Sequence, residues 1–459
     1  MAATAAAAPS DAEPLLAAGD PHVVLNKAGV IVRAGVSKSS ALVGEVGLDG
    51  MVAVDAYAKD ERGTVRLRLA SPRGWVSAKL LRPLSVVEAV GRSGASLVVV
   101  YAVNAKVGAK WYYGWLRDVL LADVDAVFVP VGDDFFGEAG RRRAAWLPAN
   151  GDDRVAARAR LLAGAARCLV VWNDFEHDRS VVERFVDAAP CPLALFHVGD
   201  ERTSDALAAW EPSWPGREKS DSKFASTGVS WPEAIRADFE ALEREDPAAA
   251  KAADLRRLYG KCGCVLRCYR DEAYGDLGNV LAVPLGYKTG FRKPPGGAAR
   301  TNAWAFAGQG TKSSRRAMLG ALGALPGTRA SHVSEALDWD APGNLATDAY
   351  ARLLASAALA PCPVGWIHPD SFRLYEALEC GCLPVVERPA YFAALLGDDL
   401  AGSLVAATAG WDAADVSRLA ALLADGAALE ARRARCAAAW AAKKVSLGRD
   451  VRAHLDRYL

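Results

Sequence analysis

A chain of 459 residues with a net charge of +1 carries no field that would draw it to nucleic acid or to an anionic membrane. Its hydrophobic content of 52% and charged content of 24% are those of a globular protein of about two to four domains. Nine scattered cysteines are not a disulfide framework, and no run is long enough to span a membrane. The cysteine usage fits a reducing compartment, or a lumen with one or two optional bridges.

Residues 1–22 are rich in alanine but broken by Pro9, Asp11, Glu13, Pro14 and Asp20. They lack the basic start and apolar core of a signal peptide, and disorder is expected there. From 23 to 81 the pattern changes to short alternating strands with glycine turns. Val65, Leu67 and Leu69 alternate with Arg66 and Arg68. Five short strands over this stretch predict a small all-β barrel. From 95 onward apolar runs alternate with helical segments: 97–102, 126–130, 169–172, 193–197, 265–269 and 280–284. That rhythm predicts a parallel sheet covered on both faces. Residues 211–256 are polar and carry Pro212, Pro215 and Pro232, which reads as a surface insertion with one helix. A second strand-helix series starts near Ala303 and includes a helix from Ser313 and another from Thr347. The chain is then helical from Asp412 to its end. Its stripe of Arg432, Arg433, Arg435, Lys443 and Lys444 reads most simply as a solvated face. The expected organisation is therefore a barrel at 23–81 and two α/β domains, 95–290 and 291–459.

The segment PCPVGWIHPDSFRLYEALECGCLPVV, 361–386, is the most informative. It reads as strand, loop, helix, glycine stop and strand, with polar side chains gathered where the helix begins. Free N–H groups and the helix dipole make such a start an anion site. Arg373 and Glu376 share a helix face; the alternative to a binding role is an intrahelical ion pair worth about 0.3–0.5 kcal/mol. Upstream, Gly308 ends a strand and Lys312, Ser313, Arg315 and Arg316 open the next helix. The glycine lets a phosphate approach the backbone, and the basic residues suit a diphosphate; a capped helix with solvated basics is the alternative. The spacing is not that of a Walker loop.

These motifs resemble the exostosin-like family, glycosyltransferase family 47. In that family a Cys-Pro-x-Gly turn precedes Ser-x-Arg-x-x-Glu-Ala and Gly-Cys-x-Pro-Val, here Cys362, Pro363, Gly365, Ser371, Arg373, Glu376, Ala377, Gly381, Cys382, Pro384 and Val385. Many relatives carry Arg or Lys where Val364 stands. The resemblance implies a GT-B fold, two facing Rossmann-like domains, with an N-terminal acceptor domain and a C-terminal donor domain. It implies inverting transfer of a sugar from a nucleotide sugar to a glycan or glycoprotein acceptor, without a metal cofactor. Arg373 would meet phosphate and Glu376 the ribose hydroxyls. The barrel resembles a bacterial-type Src-homology-3-like domain, with a plain spacer as the alternative. Family relatives work in the Golgi lumen, whereas the start of this chain leaves a cytoplasmic location open.

Inverting transfer needs a base near the acceptor hydroxyl. The segment His197 to Glu201, HVGDE, follows an apolar strand, so Asp200 or Glu201 is the expected base with His197 as a polar neighbour. A solvated turn is the alternative. Asn173 and Asp174 hold an equivalent position one strand earlier. Arg267, Tyr269 and Arg270 are expected in the cleft, although Arg267 on a strand also suits a structural ion pair. Metal chemistry finds little support: six histidines show no ligand spacing, and Cys262, Cys264 and Cys268 lack a fourth partner. The reading from a different class is a catalytically inactive GT-B binding protein whose barrel recruits a ligand.

Overall fold

The computed structural model describes residues 20–24, 30–33, 42–46, 51–59, 65–69, 74–77, 81–83, 97–104, 108–109, 112–132, 155, 159–173, 179–199, 248–295, 300–310, 313–334, 344–365, 368–408 and 410–459. The first unit is antiparallel: β1 (Asp20–Val24), β2 (Val30–Arg33), β3 (Leu42–Val46), β4 (Met51–Lys59), β5 (Val65–Leu69), β6 (Gly74–Ser77) and β7 (Leu81–Pro83). Its order is β3-β2-β6-β5-β4-β1-β7. The sheet thus has seven strands where the pattern suggested five, and β1 opens inside the tract expected to precede it. His22 pairs with Val52 on one side and Pro83 on the other. Pro83 has no N–H to donate, which suits a strand at the end of the sheet.

The second sheet comprises β8 (Leu97–Asn104), β9 (Gly108–Ala109), β10 (Ala126–Gly132), β11 (Cys168–Asn173), β12 (Leu193–Val198), β13 (Cys264–Arg267) and β14 (Val280–Ala282). Its main path, β10-β8-β11-β12-β13-β14, is parallel throughout, and β9 folds back antiparallel on β8. Every residue of β11 and β12 is buried. Alternate residues feed two cores: Leu169, Val171 and Phe196 on one face, Val170, Trp172 and Leu195 on the other. That explains why these strands read as continuous apolar runs. Between β9 and β10 lie a short helix, α1 (Tyr113–Trp115), and a π turn over Leu116–Leu120. Helices α2 (Arg179–Ala188) and α3 (Ala248–Lys261) cover the second face through Val182, Phe185, Leu255 and Tyr259.

The third sheet is also parallel: β15 (Asn302–Gln309), β16 (Arg329–Ser334), β17 (Ala357–Cys362), β18 (Leu383–Glu387) and β19 (Val405–Ala407), in the order β16-β15-β17-β18-β19. Its helices are α4 (Ser313–Leu322), α5 (Thr347–Ala355), α6 (Phe372–Glu379), α7 (Pro389–Leu396), α8 (Asp398–Ser403) and α9 (Ala413–Ala424). Two parallel-sheet α/β domains therefore stand in one chain, the architecture that the strand-helix rhythm called for.

The last helix, α10 (Gly426–Tyr458), crosses back from the third sheet to the second. The Asp425 side chain accepts from Ala428 N–H and caps its start. Midway, Trp440 stacks on Trp115 at 5.8 Å with 5° between the rings. Its end reaches the second sheet: Arg452 donates to Asp123 O, His454 meets Asn279 O at 2.9 Å, and Arg167 pairs with Asp456 at 2.8 Å. Gly448 lets the helix approach the π turn, since a Cβ there would lie 3.0 Å from Val119 O. Gly286, with φ +73, sits where a Cβ would meet the Trp115 ring at 2.1 Å. The expected solvated stripe is corrected in part. Arg432 donates to Ser403 O, Arg433 to Gly381 O, and Lys444 bonds Glu379, so three of its cations tie α10 to the domain beneath it. Among the described residues, no helix is long and apolar enough to cross a membrane.

Candidate functional site

In an open parallel sheet, ligands bind beyond the carboxyl ends of the strands where the order reverses, because the flanking loops diverge there and leave a crevice. In the third sheet that point lies between β15 and β17. Gly308 near the end of β15 and the start of α4 lie on one side, and Pro363 to Gly365 with His368 to Ser371 on the other. Of the residues singled out in the sequence for phosphate binding, Gly308, Arg315, Gly365, Ser371 and Arg373 lie on these two neighbouring segments.

The contacts there are specific. Arg373 donates through Nη2 to Ala307 O at 3.1 Å and lies over the Phe306 ring at 4.6 Å. Gly308 has φ +152, and a Cβ on it would lie 2.4 Å from Arg373 Nη2. The missing side chain is what allows the guanidinium to rest against the strand end. Arg315, buried on α4, reaches Gly365 O at 3.4 Å. Gly365 N–H closes the loop onto His368 O at 2.9 Å. Ser371, in extended conformation, is the N-cap of α6 but makes no capping hydrogen bond with its side chain. Among the described residues, buried Ser371 Oγ and Arg373 Nε have no hydrogen-bond partner. Arg316 is half-buried; Lys312 and the Ser313 side chain lie outside the described residues.

Glu376 stands one turn further into α6 and is buried. Burial pushes its carboxyl up, opposed by the Arg373 charge, the Lys288 N–H and the Tyr350 hydroxyl. The Lys288 N–H lies 3.4 Å from Oε1 and belongs to the segment linking the two domains. A ribose contact by Glu376 would share the carboxyl with these donors.

Across the crevice stand residues of the second sheet. Tyr269, just past β13, adopts φ +58, a left-handed conformation that is strained for a bulky residue. Its ring meets His368 edge-on at 4.9 Å, and the Tyr391 ring also meets His368 edge-on, at 4.8 Å. Arg270 N–H donates to the Tyr391 hydroxyl at 3.2 Å, while its side chain lies 3.4 Å from Glu272. Asp370 accepts from Tyr375 OH at 2.5 Å and from Leu285 N–H at 3.3 Å. Asp370 and Tyr391 thus join the two domains; the sequence offered no signal for either role beyond their place near the signature helix.

Arg267 and His197 lie deeper than expected. Both are 1% exposed. Arg267 donates to Tyr259 OH at 2.6 Å and lies over the Tyr274 ring at 4.6 Å. His197 stacks on Trp172 at 4.0 Å, with Nδ1 2.6 Å from Tyr259 OH. They form a buried aromatic-cation cluster under the carboxyl edge rather than a cleft lining. The loop they support begins at Gly199; Asp200, Glu201 and Asp174 lie outside the described residues. Asn173 ends β11, and the order of the second sheet reverses between β8 and β11. His197 and Val198 thus end β12, the neighbour of β11, and Asn173 ends β11 at the reversal itself. Burial pushes the Cys262 and Cys264 thiols up to about 12, and Cys268 well above its usual value, so these three are protonated core side chains.

No protein-family model matches this chain, and no curated protein does either. Among solved structures, it is similar to the glycotransferase of kitacinnamycin, with 16% identity and a TM-score of 0.37 over 79% of this chain and 98% of that one. It is similar to Anabaena Alr3699/HepE, solved in complex with UDP and glucose, with 11% identity and a TM-score of 0.44 over 79% and 99%. The glycosyltransferase SnogD from Streptomyces nogalater gives 12% identity and a TM-score of 0.35 over 78% and 99%. These are distant likenesses.

Proposed function

We propose that this chain is a GT-B glycosyltransferase of exostosin-like type that moves a sugar, with inversion, from a nucleotide sugar to a glycan or glycoprotein acceptor. In this reading residues 291–459 bind the donor, 95–290 bind the acceptor, and 23–81 are an accessory β unit. The observation that carries it is the crevice between β15 and β17. Ser371 Oγ and Arg373 Nε keep unused hydrogen-bonding capacity there, at the amino end of α6 and beside Gly308.

A diphosphate suits such a place. It brings acceptor oxygens to the hydroxyl, the guanidinium and the free N–H groups of the helix start. As the bond to the sugar breaks, negative charge grows on the leaving diphosphate. In this reading Arg373, Arg315 and the α6 dipole stabilise it, and such preorganised charge is commonly the largest catalytic term. Lys312 and Ser313 would add to this set. The acceptor hydroxyl loses its proton to Asp200 or Glu201, which follow β12 in the sequence. Neutralisation by basic side chains and a helix start requires no metal.

The test is a thermal-shift titration of the full chain with nucleoside diphosphates and nucleotide sugars, followed by assay of donor turnover. One nucleotide should raise the thermal midpoint, and Arg373→Ala should lose most of that rise while folding normally. Equal stabilisation of the Arg373→Ala protein would overturn the donor assignment. Binding without turnover, with every acceptor class tried, would leave a nucleotide-binding protein instead.

A further inference from the structure

The segment between β17 and α6 is built around a buried side chain that the donor assignment does not use, His368. Its carbonyl accepts from Gly365 N–H at 2.9 Å, and its ring Nδ1 accepts from Asp370 N–H at 3.1 Å. The first bond ties the segment back toward the end of β17. The second fixes the residue directly before the Ser371 cap. A ring nitrogen that accepts from a backbone N–H carries no proton, so the neutral imidazole holds its proton on Nε2.

The two residues that His368 holds lead to both sides of the crevice. Gly365 O accepts from Arg315 Nη2 of α4 at 3.4 Å. Asp370 precedes Ser371, which is extended and whose Oγ has no partner among the described residues. The ring itself is contacted from both α/β domains. Tyr391 of α7 meets it edge-on at 4.8 Å, and Tyr269, just past β13, meets it edge-on at 4.9 Å. Arg270 N–H holds the Tyr391 hydroxyl at 3.2 Å. Tyr269 keeps φ +58, and such strain persists only where the surroundings over-determine it.

We propose that His368 is a positioning residue for the donor diphosphate, acting through Asp370 N–H on the backbone before α6, and that Tyr269 of the other domain holds its ring in place. The inference rests on the donor assignment above and adds to it a role for the acceptor-side domain in shaping the donor site. The imidazole works by geometry. With Nδ1 committed to the backbone, it orients the Ser371 hydroxyl and the start of α6 ahead of ligand arrival, and such preorganisation spares the cost of ordering them on binding. Tyr269 supplies the wall that keeps the ring from turning away from Asp370.

The experiment is calorimetric titration of the full chain with UDP, GDP and ADP in turn, beside hydrogen exchange of the peptide holding Asp370, read without nucleotide. His368→Leu keeps bulk but offers no acceptor. Its Asp370 peptide should exchange faster, and nucleotide affinity should fall about tenfold, the size expected for one lost hydrogen bond. His368→Asn places Oδ1 where Nδ1 stood and should recover most of both. Tyr269→Gly removes the ring while relieving the left-handed strain, and it should also weaken binding from the other domain. Arg373→Ala reports on the donor site itself. Wild-type affinity in His368→Leu, with Arg373→Ala defective, would overturn this inference and leave the donor assignment standing. Equal losses in His368→Asn and His368→Leu would overturn it too, because ring bulk rather than Nδ1 would then be responsible. A wild-type chain that binds none of the three nucleotides would remove the donor assignment and this inference together.

Discussion

At the scale of the residue, Gly308 and Arg373 form one device split between two distant segments. Neither is informative alone, since strand-ending glycines and helical arginines are common. Their meeting is specific, because a Cβ at 308 would take the space that the guanidinium fills. A Gly308→Ala protein should fold, yet lose at least about tenfold in nucleotide affinity as Arg373 is displaced. Calorimetric titration beside the wild-type chain reads this directly, and unchanged affinity would separate the glycine from the site. Asp415 carries a different kind of load. It is 1% exposed, and its carboxylate accepts from Thr408 N–H and hydroxyl at 2.9 and 2.6 Å and from Arg418 at 2.5 Å. Burial pushes its carboxyl up, but these donors outweigh burial and hold it below its ordinary 3.8. A carboxyl lowered by folding contributes stability that is fully present above 3.8 and is lost as pH falls through the folded value. Asp415→Asn should cost about 2–3 kcal/mol at neutral pH and flatten the acid limb of the stability curve. Urea denaturation at pH 7 and pH 3 would show both effects.

At the scale of the element, α6 and α10 repay comparison. The helix α6 and its glycine stop at Gly381 were legible, with a start expected at Asp370 and found at Phe372, because polar residues and a glycine flank an apolar repeat. Its partner across the hinge was not legible. Trp440 lies far along an alanine-rich helix whose charges suggested solvent, yet it stacks on Trp115, and its indole N–H donates to Glu379 at 2.9 Å. Arg432, Arg433 and Lys444 looked like a solvated stripe for the same reason. Periodicity reports which residues share a face, and it is silent on which neighbour that face meets. Trp440→Ala removes a buried indole from the contact between domains, so a loss of about 3–5 kcal/mol is expected. A chemical-denaturation midpoint shifted by less than a third of that would mean that the contact collapses to fill the gap.

At the scale of the whole molecule, the polar contacts that pair the two domains among the described residues include Asp370 with Leu285, Tyr391 with Arg270, Glu376 with Lys288, and the end of α10 with the second sheet. His454 belongs to the last group. Burial lowers its proton affinity below the ordinary 6.5, partly offset by the Asn279 carbonyl and reinforced by the Arg457 charge. The folded state therefore binds fewer protons there than the unfolded chain. Its contribution is present above pH 6.5 and falls as pH drops from 6.5 toward the folded value. Nearby Asp456, lowered by its hydrogen bond from Arg167, stays ionised through that window. Hydrogen exchange along α10 should accelerate between pH 6.5 and 5.5 more than in the core strands, after correction for intrinsic rates. A His454→Gln protein should lack that added acceleration.

The amino-acid order alone determined the strand-helix alternation, the buried character of β11, β12 and β17, and the polar cluster at the start of α6. These follow from local patterning: continuous apolar runs demand burial on both faces, and helix ends need caps. It did not determine the seven-strand first sheet, because strands as short as β1 and β7 are held by their partners rather than by their own pattern. Nor did it determine that Arg267 and His197 sink beneath the carboxyl edge. A polar residue in an apolar strand points inward or outward according to what covers it, and Trp172, Tyr259 and Tyr274 arrive from other elements. Tertiary structure alone decided that Gly308 and Arg373 meet and that Glu376 sits under the interdomain link. Each of these pairs is distant in sequence and adjacent only because parallel strands align their ends at common rims.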